Sequence, residues 1–279
     1  MKAAPFAYVR AASVEEAVEA LAEAGDEAKV LAGGQSLLPL LALRLARPSV
    51  LVDVNRVPGL DGVEVRDGEV RLGALVRHAR LAEQTAHPLL AQAAALIGHP
   101  AIRSRGTIAG SLAHADPSAE LPVCAVALGM TLEVASPAGA REIAAEDLFQ
   151  GALVTSLADT DLVTAVRAPL PQRWGLAEMA LRPGDFALVL VCVAQSAAGW
   201  HIALGGVAGV PVRCPQAEAI LDGGEIDADR LSTACETAQA EVDPVDDLHA
   251  SSRYRRALVG ELLATAITDA ERRGKRVGR

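Results

Sequence analysis

Two stretches carry the residues whose types and spacing suit ligand chemistry. The first is Ala32-Gly33-Gly34-Gln35-Ser36-Leu37, inside residues 29–48. Adjacent glycines take positive φ readily and let a ligand approach the backbone with no Cβ in the way. Ser36 is placed to cap a following helix, and Pro39 falls in its first turn, where a missing N–H costs nothing. A helix start of this kind offers unpaired N–H donors and a partial positive charge, which suits a phosphate. The pattern is neither G-x-G-x-x-G nor a Walker loop, and a Gly-Gly pair also makes a ligand-free tight turn, so this segment alone does not decide. The second stretch is Gly106-Thr107-Ile108-Ala109-Gly110-Ser111-Leu112-Ala113-His114-Ala115-Asp116-Pro117-Ser118-Ala119-Glu120-Leu121-Pro122. It is dense in small residues and hydroxyls and has no periodicity. Taken as structure it predicts a poor helix and a poor core, kept because it wraps something.

Other polar groups are weighed against plainer roles. His114 and Asp116 have the types of an acid–base pair, but within a glycine-rich loop they read as hydrogen-bonding or cofactor-contact residues. Ser111 has no nearby base to make it a nucleophile. Arg103 and Arg105 suit a phosphate, an acidic partner or a solvated loop equally, and His99-Pro100 reads as a turn. Asp185 holds a turn, and Trp200 packs. Cys124, Cys192, Cys214 and Cys235 are scattered with no C-x-x-C, so they read as buried free thiols rather than ligands to zinc or an iron–sulfur cluster. No metal constellation and no catalytic side chain emerges.

The elements that must position these residues follow from the pattern. A strand at 5–10 leads to a capping box, Ser13-Val14-Glu15-Glu16, and an alanine-rich helix stopping at Gly25. Strands follow at 29–31 and 50–54, the glycine loop and a short helix ending before Pro48 lying between them. Residues 63–72 alternate around Asp67-Gly68, a two-residue hairpin signal. Helices are expected at 77–86, 89–97 and 123–129, a hairpin at 131–134 and 141–143, and a strand at 161–167. Pro169-Leu170-Pro171 marks a boundary. Beyond it, strands at 176–181, 187–195 and 201–207 precede helices at 215–221, 228–240 and 252–270, an α+β arrangement with helices on one side of a small sheet. Residues 272–276 read as a solvated, basic terminus.

A chain of 279 residues supports a large core and two or three subdomains. A net charge of −9 argues against a nucleic-acid surface and requires any phosphate site to rely on backbone N–H groups. Residues 1–10 lack the apolar region of a signal peptide, and the longest apolar runs are far too short to span a bilayer. A soluble, cytoplasmic protein is the expectation.

With both segments in view, the chain resembles the medium, FAD-binding subunit of the molybdenum hydroxylases, the group that includes carbon monoxide dehydrogenase and the flavin domain of xanthine dehydrogenase. The resemblance rests on residues 32–37, on 107–117, on Gly184-Asp185-Phe186-Ala187, and on Leu204-Gly205-Gly206-Val207 with Pro211-Val212-Arg213. It implies an α+β chain with a two-subdomain FAD-binding fold of the PCMH type over residues 1–171 (1–56 and 57–171). A small C-terminal domain, residues 172–279, would carry a three-stranded antiparallel sheet and helices.

The cofactor contacts implied are Leu31, Ala32, Gly33, Gly34, Gln35, Ser36 and Leu37 at the pyrophosphate, and Thr107, Ile108, Ala109, Gly110, Ser111, His114 and Asp116 around it. Ile97, Ile102 and Leu162 fall where apolar residues line the flavin, and Glu120 takes the place of a carboxylate that binds ribose, most relatives having Asp there. Amides of Gly33, Gly34, Ser36, Gly110 and Ser111 are candidate pyrophosphate donors, and Ile97, Ile108 and Leu162 a candidate apolar slot. One departure stands out: many relatives carry a lysine shortly before the Gly-Asp-Phe motif, whereas this chain has Glu178, with Arg182 either a substitute or part of a salt bridge.

The implied function is electron transfer through FAD. Electrons would come from [2Fe–2S] clusters on a small partner, fed by a molybdenum–pterin centre on a large one. The acceptor would be external: a quinone, oxygen or NAD. Paired heterotrimers are the implied assembly. Two rivals are a stand-alone FAD-dependent oxidoreductase of the same fold and a scaffold that has lost its flavin.

Overall fold

A computed structural model describes residues 2–277 of the chain. Strands Ala7–Arg10, Val50–Asp53 and Ala28–Leu31 form, in that spatial order, a small parallel sheet. Between the first and last of these in sequence lies helix Val14–Ala24, whose Ser13 cap accepts from the Glu16 amide while the Glu16 carboxylate accepts from Ala12 N–H. Its buried Ala17, Val18 and Leu21 share a core with Val52 and Val54. The register sets both Arg10 and Leu31 beside Asp53. The loops after residues 31 and 53 therefore leave the same carboxyl edge, where ligand crevices open in parallel sheets.

An antiparallel sheet follows, in the order Val63–Arg66, Glu69–Gly73, Leu162–Pro169, Thr131–Ser136, Gly139–Ala144. Its first hairpin turns at Asp67 and Gly68, both at positive φ (49° and 81°), as a primed two-residue turn requires. Helices Pro88–Leu96, Ile108–His114 and Glu120–Leu128 contribute to its core.

The second glycine-rich segment departs from expectation. Residues 106–122 are not an aperiodic wrap: Thr107 Oγ1 caps helix Ile108–His114, which ends at Ala115 in the left-handed region, and Glu120–Leu128 begins soon after. Every residue of Glu120–Leu128 is buried. A helix enclosed on all sides carries no amphipathic stripe, which is why periodicity missed its first turn.

The three strands expected beyond residue 172 are present as Arg173–Ala180, Ala187–Ser196 and Gly199–Gly205, and Val212–Arg213 adds a two-residue fourth. Alternation along Ala187–Ser196 sends Val189, Val191 and Val193 toward the core beneath helices Pro215–Asp222, Ala228–Ala240 and Ser252–Val277. Leu190, Cys192 and Ala194 enter the core of the preceding unit, where Glu120–Leu128 covers the sheet's other face. Helices thus lie on both faces, not one. That explains a strand apolar at every position from Ala187 to Ala194.

The expected solvated terminus is also corrected. The final helix runs to Val277, and the Arg273 guanidinium stacks 3.6 Å from the Trp174 ring centroid. Arg273 also donates to the Trp174 carbonyl at 3.0 Å and to Gln92 Oε1 at 2.9 Å. The side chains of Lys275 and Arg276 lie outside the described residues. Cys124, Cys192 and Cys214 are buried and Cys235 is half-buried, all as free thiols.

Candidate functional site

The two glycine-rich segments meet. A Cβ on Gly33 would fall onto the Arg105 carbonyl oxygen and within 2.9 Å of Gly106 Cα. Only glycine lets the first loop lie this close to the second. Gly34 has φ 74°, turning the chain from strand Ala28–Leu31 into helix Leu37–Ala42. The N–H groups of Gly33, Gly34, Gln35, Ser36 and Leu37 reach no protein acceptor among the described residues. Such a run of unsatisfied donors at a helix start is the arrangement that takes a diphosphate. Ser36 is already helical in φ/ψ, and its hydroxyl does not cap, contrary to expectation. Gln35 Nε2 donates to the Gly33 carbonyl at 3.2 Å.

The second segment is built differently. Its amides are engaged: Ile108 with Val76 O, Ala109 with Ala74 O, Gly110 with Thr107 Oγ1 at 3.2 Å, Ser111 with Thr107 O. Gly110 and Ser111 therefore do not offer free N–H donors, because the helix cap has used them. Buried His78 holds Thr107 O through Nε2 at 2.9 Å, and burial drives its pKa down to about 4, so the ring is neutral. Asp116 closes an Asx turn on Ser118 N–H at 2.9 Å, the structural role anticipated as one alternative. His114 ends its helix half-buried.

Glu120 is 5% exposed, and among the described residues its carboxyl group bonds only to its own N–H. Burial, aided by Glu178 and Asp116, raises its pKa to about 7. A buried carboxyl group held by one donor keeps acceptor capacity that ligand hydroxyls can use. Nearby Glu178, its pKa raised by burial, keeps Oε2 unpartnered. Arg182 is exposed and forms no ion pair among the described residues, so the salt bridge considered for it is absent there.

The apolar candidates separate. Ile108 lies in the core of the antiparallel unit, against which Ile97 also packs, and Leu162 lies in the core of the parallel sheet. Ile97 is only partly buried, and Ile102 is 37% exposed and packs on Gly98.

Two residues that join the segments were not singled out by the sequence. Asn55 Nδ2 donates to the Leu31 and Ala32 carbonyls at 3.1 and 2.9 Å, and to Asp53 Oδ1 at 2.7 Å. Arg77 donates to Asn55 Oδ1 at 2.6 Å and to the Arg105 carbonyl. This relay ties the first segment to the second. Burial lowers the Arg77 pKa, Arg105 adding to it; burial works against ionised Asp53, but bonds from Tyr8 and Asn55 outweigh it and hold its pKa down. The available signal was position alone, since Asn55 follows a strand at its carboxyl edge.

The remaining glycine motifs converge on the same region. A Cβ on Gly184 would sit 2.8 Å from His99 Cε1 and 3.0 Å from Gly98 O. Gly206 N–H donates to Pro117 O at 2.9 Å. A family model described as the FAD binding domain in molybdopterin dehydrogenase matches residues 4–171. The chain belongs to this family. A second model, the CO dehydrogenase flavoprotein C-terminal domain, matches residues 175–270.

Among curated relatives, the nicotine 6-hydroxylase medium subunit of Paenarthrobacter nicotinovorans is 41% identical, covering 97% of this chain and 99% of its own length. The carbon monoxide dehydrogenase medium chain of Afipia carboxidovorans is 33% identical, with 97% and 98% covered. Quinoline 2-oxidoreductase from Pseudomonas putida 86 superposes with a TM-score of 0.93 at 36% identity, over 98% of this chain and 99% of that one. This family member thus carries a FAD-binding domain in a mixed α/β fold. The donor run at residues 33–37 and the buried Glu120 carboxyl group fit a flavin dinucleotide.

Proposed function

We propose that the chain is the flavoprotein, electron-transferring medium subunit of a molybdenum hydroxylase complex, an oxidoreductase of the cytoplasm. The observation that carries this reading is the free N–H run at Gly33–Leu37, held against the second segment in a chain whose residues 4–171 match the FAD-binding family. Residues 31–37 would hold the pyrophosphate through backbone N–H groups. Residues 107–111, with His114 and Asp116, would wall the cofactor through side chains and shape. Glu120 would accept from ribose hydroxyls, and Ile97, Ile102 and Leu162 would flank the flavin. Residues 1–56, 57–171 and 172–279 would act as three units.

When bound, the flavin supplies the interchange between single-electron and two-electron chemistry. The protein's part is to bind, orient and shield it. Electrons would arrive from [2Fe–2S] clusters of a small partner, drawn from substrate oxidised at a molybdenum–pterin centre on a large one, and leave for a quinone, oxygen or NAD. Two such heterotrimers would pair. No helix among the described residues is long and apolar enough to cross a membrane.

The test is the visible spectrum of the purified chain before and after incubation with FAD and desalting, with the flavin identified after denaturation. Retained FAD is expected. Absence of flavin, even when the chain is co-purified with its partners, would overturn the assignment.

A further inference from the structure

Beside the relay that joins the two glycine segments lies a second recess. Residues 55–58 and 61, leaving the carboxyl edge of the parallel sheet, face residues 75–77 and Arg80 across a pocket of about 350 Å³. Arg56, Arg77 and Arg80 line it with Asn55. In a chain of net charge −9, three cations are gathered here around one carboxylate, Asp61. That carboxylate bridges none of them. Arg80 donates to the Asp61 backbone carbonyl at 2.6 Å, Arg77 bonds only to the Asn55 amide oxygen and the Arg105 carbonyl, and Arg56 makes no hydrogen bond or ion pair among the described residues.

Like charges held together repel one another; Asp53 and Asp61 offset part of that cost at Arg77 without bridging it, and a bound anion would offset more. Guanidinium forks match the oxygens of phosphate and carboxylate groups geometrically. The recess is large enough for a small metabolite and opens at the edge of a parallel sheet where ligands are commonly received. None of its lining residues belongs to the set assigned to the flavin.

We propose that this recess is an oxyanion-binding site, distinct from the flavin site, which takes the phosphate or carboxylate group of a small molecule between Arg56, Arg77 and Arg80. It shares Arg77 with the inter-segment relay, so an anion there pulls on the group that also holds the Arg105 carbonyl.

The test is calorimetric titration of the full chain with inorganic phosphate and, separately, succinate, at constant ionic strength so that screening is unchanged. Saturable one-to-one binding of at least one probe is expected, and the tighter one identifies the oxyanion. Arg56→Gln combined with Arg80→Gln, both at exposed positions, should weaken it at least tenfold while leaving the circular dichroism spectrum unaltered. Equal binding by this double variant, or no saturable binding of either probe by the natural chain, overturns the proposal. Repeating the titration with added FAD separates the two sites: retained anion binding supports the proposal, and one-for-one displacement by FAD refutes a distinct site. The anion titration itself does not depend on the chain binding flavin.

Discussion

The two glycine-rich segments look alike as sequence and behave as opposites in the structure. In residues 33–37 the amides are left without protein partners, and the glycines make room. In residues 108–111 the amides are consumed by Thr107 and by the Ala74 and Val76 carbonyls, and residues 107–109 are buried. One segment offers hydrogen bonds; the other offers a rigid wall against which the first is set. Glycine content alone therefore does not mark a ligand loop. Unspent N–H groups do.

The largest expected effect comes from Gly33→Val, because its side chain would collide with backbone at Arg105 and Gly106. FAD affinity, read by flavin absorbance after desalting, should fall by about 1,000-fold, or ~4 kcal/mol. Retention of flavin by this variant would break the contrast.

Glu120→Gln probes the acid that follows the second segment. The folded pKa of Glu120 lies at about 7, above the ordinary 4.5, so the native chain holds a proton that the unfolded chain has lost. That contribution to stability is complete below the unfolded value and disappears as pH rises through 7. The flavin-free variant should exceed the natural chain in stability at pH 8 by on the order of 3 kcal/mol and match it at pH 4. Urea denaturation at the two pH values measures this, and parallel curves would refute the buried charge.

Asn55→Ala removes the bonds to the Leu31 and Ala32 carbonyls and leaves Arg77 without one acceptor. A loss of about 2 kcal/mol is expected, with weakened flavin retention, because the open segment depends on this support. Thr107→Val should cost about 1 kcal/mol in stability through the lost helix cap and leave FAD affinity nearly unchanged. A large affinity loss in the Thr107 variant would show that the second segment binds directly rather than as a wall.

Most of the fold was legible because its elements announce themselves locally. The Ser13 cap, the Asp67-Gly68 turn and the apolar run at 187–195 each fix an element with little tertiary help. Helix Glu120–Leu128 was partly hidden, since burial on every face erases periodicity. The end of the final helix was misread because Arg273 looks solvated until Trp174 is found beneath it. For the site, the glycine segments were visible, but which of them had free donors was not, since that depends on partners such as Val76 and Ala74 distant in sequence. Asn55 and Arg77 were invisible for the same reason.

The contact between Arg273 and Gln92 has a consequence for synthesis. These residues stand 181 positions apart. At about 5–20 residues added per second, Gln92 waits on the order of 10–40 s for its partner to be made. The helix bearing Gln92 can pack long before then, but its link to the helix bearing Arg273 can form only once residue 273 has been made. This fastening thus comes after the packing of the elements between the two residues that are made earlier.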